Sequence, residues 1–286
     1  MSPADDTPTP PSGRTRLAFR IATAAVVAGV ILFGGQYAWR EYQDYQTLQR
    51  ESEDSAPIGY LGLNYRRSYY DKPARFLHDQ DGRKMLWAAK DEGGNPVYYD
   101  VTEVDFNPES LSGGYGRDSI PGVDYPLLEP SHSERGSRLR DRQEVYGLVL
   151  GAGPRAYPTD LLKKAEVVND RDGEEPFLVV YDRGRDMAQA FERKIQGREV
   201  TFGTTGYTLP TSADGSSGKP LLYDRKTKSL WLPENHALVC VGGELKGTSL
   251  PTWRPLVKTT WSEWVDQYPK TLVLFGNDRS KPIPGE

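Results

Sequence analysis

Residues 167–182 read VVNDRDGEEPFLVVYD, and the reading of this stretch decides the fold. Two apolar runs, Val167-Val168 and Phe177 to Tyr181, flank the turn formers Asp170-Arg171-Asp172-Gly173. Short runs of β-branched and aromatic residues bounded by such turns predict strands rather than helices. The second run ends on charge, Asp182, Arg183, Arg185 and Asp186, and loops at strand ends are where many scaffolds carry chemistry.

Working outward, Val145 to Leu150 predicts a strand and Gly151-Ala152-Gly153 a turn. Arg155-Ala156-Tyr157-Pro158 then leads into a short helix from Thr159 to Lys164, because Pro costs little at a helix start and Thr or Asp caps free amides. On the other side, Ala188 to Phe191, Val200 to Phe202, Leu221 to Tyr223, Leu230 to Leu232 and Leu238 to Val241 repeat short apolar runs at even intervals. Gly203-Thr204-Thr205-Gly206 and the stretch Gly215 to Pro220 read as loops; neither matches a phosphate loop, and Pro220 follows Lys219 where a helix should begin. Thr260, with Glu263 three residues on, predicts a capped helix whose Trp261, Trp264 and Tyr268 pack into the core. Thr271 to Phe275 predicts a closing strand, and residues 277–286 a tail.

Residues 57–115 hold many aromatics between turn signals and predict a β-rich segment of hairpins. Residues 107–142, rich in Gly, Pro, Ser and charge, predict irregular connection with a seam near 107–116. The domain proper then runs over 116–276. The predicted fold class is α+β, mainly antiparallel β with a few short helices, plus one N-terminal transmembrane helix.

That helix is Ile21 to Trp39, IATAAVVAGVILFGGQYAW, a stretch without charge close to the ~20 residues that cross a bilayer. Arg14, Arg16 and Arg20 precede it and Tyr37 and Trp39 close it, which predicts an uncleaved anchor with residues 1–20 as a disordered cytoplasmic tail and the remainder extracytoplasmic; a cleaved signal peptide is the rival reading, against which the region after Phe33 offers no good small-x-small site. Residues 40–56 predict a helical stalk, ended by Pro57 and Gly59. The expected partners are therefore the membrane, through residues 21–39, and a cell-envelope protein or small ligand. With 286 residues, 37% of them hydrophobic, the chain can build a sizeable core. A net charge of −4 gives no broad attraction to nucleic acid, which is not expected as a partner.

Isolated reactive side chains point to little chemistry. Cys240 is the single cysteine, so no intrachain disulfide or Cys-rich metal motif exists, and its apolar neighbours Val239 and Val241 predict a buried small hydrophobe. His78 beside Asp79 and Asp81 reads as a hairpin tip. His132, between two serines, has no Gly-x-Ser-x-Gly elbow to serve and reads as a loop histidine.

Several separated motifs occur in order: Arg117-Asp118-Ser119-Ile120-Pro121, Arg155-Ala156-Tyr157-Pro158, Val168-Asn169-Asp170, Thr201-Phe202-Gly203, Tyr223-Asp224-Arg225 with Ser229-Leu230-Trp231, and Thr260-Trp261 with Trp264, Pro269 and Thr271 to Leu274. Through them the run from Gly116 to Gly276 resembles the bacterial family called domain of unknown function 3179. Typical members carry His-Glu-Ile-Val-Asn-Asp and, a strand later, Tyr-Cys-Pro-Leu-Cys-Gly, which implies a redox or soft-metal site. Here Ala165 takes the His position, Asp182 the first Cys position and Arg185 the second, so thiolate chemistry is impossible at that place.

Two readings of the altered site stand side by side. In one, the chain is a non-redox binding or scaffolding protein, not an enzyme, with no metal and no cofactor, and its charges are solvated. In the other, it is a metal-handling protein or enzyme: Asp182 and Arg185 with Asp170, Asp186 and Arg193 line a polar pocket for a small anion or a hard cation, and Glu166, Asp170, Asp182 and Asp186 supply oxygen ligands near Arg155 and Arg185. The candidate binding residues are Arg155, Tyr157, Glu166, Asn169, Asp170, Asp182, Arg185, Asp186 and Arg193. Convergence of the four carboxylates separates the two readings.

Overall fold

The apolar run from Phe177 to Tyr181 is a strand buried on both faces, and sheets lie on either side of it. The computed structural model describes residues 77–212, 218–278 and 280. The predicted N-terminal tail, membrane span and stalk, residues 57–76 of the predicted β-rich segment, and residues 215–217 of the predicted Gly215 to Pro220 loop lie outside these residues. Among the described residues no helix is long and apolar enough to cross a membrane.

Leu77–Gln80 (β1), Arg83–Lys90 (β2) and Pro96–Asp100 (β3) form an antiparallel sheet whose first hairpin turns through Asp81 and Gly82, both at positive φ. His78 sits here as expected, its ring edge-on to Tyr98 at 4.8 Å. Ser112–Gly113 (β4) and Pro126–Pro130 (β5) are strands inside the stretch predicted to be irregular. They pair with partners far along the chain, so no local hairpin pattern announces them. Glu144–Leu150 (β6) and Gly153–Pro158 (β7) form a full hairpin, so Arg155 to Pro158 is strand and not merely a lead-in to the helix.

Thr159–Ala165 (α1) ends at Glu166, held at a φ of 57°. That left-handed residue turns the chain directly into Val167–Asp172 (β8), and Glu175–Asp182 (β9) and Met187–Glu192 (β10) complete an antiparallel meander. Lys194–Ile195 (β11) and Arg198–Glu199 (β12) make a small ribbon. Phe202–Pro210 (β13) takes in Gly203 to Gly206, a stretch predicted as a loop. Its register to the next strand shifts between Thr204 and Tyr207, with Gly206 at a φ of 77°; the strand bulges there rather than ending. Gly218–Asp224 (β14), Leu230–Pro233 (β15), Ala237–Gly242 (β16) and Ser249–Pro251 (β17) follow as antiparallel neighbours. Val257–Thr260 (β18) leads into Trp261–Gln267 (α2), and Leu272–Asn277 (β19) is the last strand.

The principal sheets run β18-β6-β7-β19-β5 and β17-β16-β15-β14-β13-β4, with the β8–β9–β10 meander between them. Strand alternation proves the layering. Phe177, Val179 and Tyr181 of β9 pack with Tyr146, Leu148 and Tyr157 of the five-stranded sheet, while Leu178 and Val180 pack with Phe202, Leu222 and Trp231 of the six-stranded one. The far face of the six-stranded sheet, Leu221, Tyr223 and Leu230, meets Leu86 and Tyr99 of the β1–β3 sheet. The far face of the five-stranded sheet, Val145, Ala156 and Val273, meets Trp261 and Trp264 of α2.

The described residues are thus β-rich, with antiparallel sheets and two short α-helices; β7 and β19 form a parallel pair. Helix α2 starts in the predicted capping box, Thr260 accepting from the Glu263 N–H and Glu263 from the Thr260 N–H.

Candidate functional site

Strand β8 presents its side chains to two different layers because successive residues of a strand point to opposite faces. Val168 and Asp170 look toward the five-stranded sheet, and Val167 and Asn169 toward the six-stranded one. The Val-Asn-Asp segment therefore feeds two separate polar networks.

On the first side, Asp170 is 3% exposed and is held by Arg155 at 2.5 Å, by the Tyr157 hydroxyl at 2.7 Å and by the Arg171 N–H at 2.7 Å. Arg193 caps the strand edge, donating to the carbonyls of Phe177, Val200 and Asp170 and pairing with Glu199 at 2.7 Å. Burial lowers the Arg193 pKa, and burial raises that of Tyr157 far above the usual phenol value, next to Asp170. Arg155 loses to burial but gains more from Asp170 and Tyr157, so its pKa ends raised.

At the other end of the meander stand the positions where the resemblance implies His and two Cys. Val167 faces Val180, and the Tyr181 N–H donates to the Glu166 carbonyl, so the end of α1, with Ala165, meets the end of β9, with Asp182. Asp182 is 3% exposed and accepts from the Arg185 N–H at 3.0 Å, with the Arg185 guanidinium 3.7 Å away. Burial raises the Asp182 pKa against the opposing pull of Arg185. The three altered positions thus share one end of the hairpin, where an Asp, an Arg and an Ala offer no soft ligand and no thiol.

The four carboxylates do not converge. Asp170 stands opposite Phe177, and Asp182 lies five residues farther along β9, about 16 Å at a strand's ~3.3 Å per residue. Glu166, 1% exposed, pairs with Arg183. Asp186 takes Lys258 at 2.6 Å, Lys163 at 3.5 Å and the Tyr181 hydroxyl, contacts that hold its carboxyl well below the usual range, Lys258 first among them. Each anion has its own cation, so the carboxylates of the second reading are held in separate ion pairs. Among the described residues no group of three or more His, Cys, Asp or Glu side chains is placed to hold a metal ion.

On the second side, Asn169 opens a network that sequence reasoning did not select. Its amide donates to Asp124 at 2.8 Å; Asp124 accepts from Arg225 at 2.9 Å; and Arg225 reaches Asp118 at 2.8 Å and the Tyr223 hydroxyl at 3.0 Å. Tyr223 in turn donates to Asp118. Burial raises the Asp124 pKa despite Arg225. Asp118 sits at a φ of 56°, and a Cβ on Gly203 would lie 2.4 Å from its carboxylate and 2.6 Å from the Tyr223 ring, so Gly is required there. The signal was present in the sequence: Asp118, Asn169, Gly203, Tyr223 and Arg225 all belong to the quoted motifs, and the fold gathers four of those segments into one place.

A family model described as protein of unknown function, DUF3179, matches residues 117–282, more than half of the chain. No curated protein and no solved structure matches it.

Proposed function

The chain belongs to the DUF3179 family of proteins of unknown function, and from that premise we propose that it is a membrane-anchored, extracytoplasmic binding or scaffolding member that works without thiol or redox chemistry. The observation that carries this reading is the Asp182–Arg185 pair at the end of β9, closed on itself where typical relatives resemble a soft-metal or disulfide site. A carboxylate held by a backbone N–H and a guanidinium transfers no electrons. The separation of Glu166, Asp170, Asp182 and Asp186 argues against an oxygen-ligand centre in its place. Support for the anchor comes from the uncharged stretch Ile21 to Trp39 behind three arginines.

The test is elemental analysis of the full-length protein, purified in detergent without chelators or a polyhistidine tag, beside its Asp182→Ala variant. Neither should carry stoichiometric metal. Metal present in the wild type and lost in the variant would overturn the reading. Protease protection in right-side-out vesicles tests the topology, with the β-rich domain expected to be digested from outside.

A further inference from the structure

Three cations converge on the ring of Tyr223. The Arg117 guanidinium and the Lys228 ammonium each lie 5.6 Å from its centroid, and the Arg225 guanidinium lies 5.9 Å from it. Arg225 alone is matched by carboxylates, Asp118 and Asp124. Asp224, also nearby and fully buried, gives its oxygens to the Thr227 N–H and hydroxyl and to the Trp231 indole. Arg117 has no carboxylate within ion-pair distance among the described residues, and Lys228 donates only to the Arg225 carbonyl. Burial, then Arg117 and Arg225, pull the Lys228 pKa down, as expected for like charges held together.

Donors outnumber acceptors in the same place. The Tyr99 hydroxyl and the Arg225 Nε are buried without a hydrogen-bond partner, and the Tyr99 ring lies 6.0 Å from that of Tyr223. Buried donors normally find partners; Asp118, Asp124 and Asp224 balance the three cations in formal charge, and it is the unpartnered donors, with Arg117 and Lys228 outside ion-pair distance of any carboxylate among the described residues, that mark a place that takes acceptors. Lys228 is exposed and Arg117 half-buried, so both are reachable from solvent over a buried tyrosine floor.

We infer that Arg117 and Lys228, spread over the Tyr223 ring, bind a small tetrahedral oxyanion of the phosphate and sulfate type. Arg117 supplies a planar fork for two oxygens and Lys228 a point charge. Arg225, locked between Asp118 and Asp124, positions Tyr223 beneath them. The inference goes beyond the binding role proposed above and does not depend on the membrane anchor or on the state of Asp182.

The probe is inorganic phosphate, titrated calorimetrically into the full-length protein in detergent at constant ionic strength. Wild type should show saturable heat, weakened about tenfold or more in Arg117→Gln and in Lys228→Gln. Lys246→Gln, which removes a surface pair with Asp105, should bind as wild type. Thermal melting checks that each variant folds, and Arg117→Lys replaces Arg117→Gln if that variant does not. Cations that merely pack on the ring predict no saturable heat in the wild type, or equal affinity in the folded variants; either result overturns the inference.

Discussion

The side-chain amide of Asn169 pairs with the backbone of Phe202 as a neighbouring strand would, donating to its carbonyl at 2.9 Å and accepting from its N–H at 2.9 Å. One residue of the central meander thereby joins the edge of the six-stranded sheet, and its remaining amide hydrogen ties in Asp124.

Asn169→Ala strands both Phe202 groups and one oxygen of Asp124 away from water. The loss of buried partners should cost about 2–4 kcal/mol. Urea denaturation measures it, and a change under about 0.5 kcal/mol, the size of an ordinary surface substitution, would contradict the bridging role.

Asp182 and Asp186 should respond to pH in opposite senses. Burial lifts the Asp182 pKa above its unfolded value, so its contribution favours folding at acid pH and is lost as pH rises through the folded pKa. Asp182→Asn should therefore gain stability near neutral pH, with the gain fading as pH falls through the folded pKa of Asp182. Lys258 and Tyr181 depress the Asp186 pKa, so its contribution is present above the ordinary carboxylate range and lost as pH falls through the folded value. Its side chain is 43% exposed, and solvent screening limits the loss in Asp186→Asn to under about 1 kcal/mol at pH 7. Urea midpoints followed from pH 8 down to about pH 2 should diverge for the two variants; parallel shifts would refute the assignment.

Gly147 lies under the indole of Trp264, where a Cβ would come within 2.2 Å of the ring. The contact leaves no room for even a methyl group. Gly147→Ala must push α2 off the five-stranded sheet, at a cost of about 1–3 kcal/mol typical of overpacked cores. A lowered melting temperature with altered tryptophan near-ultraviolet dichroism is expected; an unchanged spectrum would show that α2 docks elsewhere.

Cys240 is fully buried, and burial pushes its thiol up to about 11. In the native protein at pH 8 it should resist an aromatic disulfide reagent and then titrate as one thiol after unfolding. Rapid native labelling would contradict its place between β15 and β17.

The strands around residues 167–182 were legible because a layer enclosed on both faces needs unbroken apolar runs, and Phe177 to Tyr181 is one. The α2 cap was legible because Thr260 and Glu263 act locally. What stayed hidden depends on distant partners. Pro126–Pro130 lacks alternation strong enough to stand out from its Gly- and Pro-rich surroundings, and the Gly203–Gly206 bulge looks like a loop until its neighbours are known. The site residues divided in the same way: Arg155, Tyr157 and Asp170 come together, but strand geometry carries Asp182 to the far end and turns Asn169 toward another layer. Asp118, Asp124 and Arg225 were missed because a network spanning |i−j| of 101 to 107 leaves no periodic trace in sequence.

Among the described residues strand β5 pairs only with β19, while β19 also lies against β7. During synthesis, residues 126–130 must therefore wait, unpaired, until residues 272–277 have left the ribosome. A premature stop between β7 and β19 leaves β5 without its partner and an open flank on β7. Quality-control proteases that recognise loose strand edges would meet such a flank first.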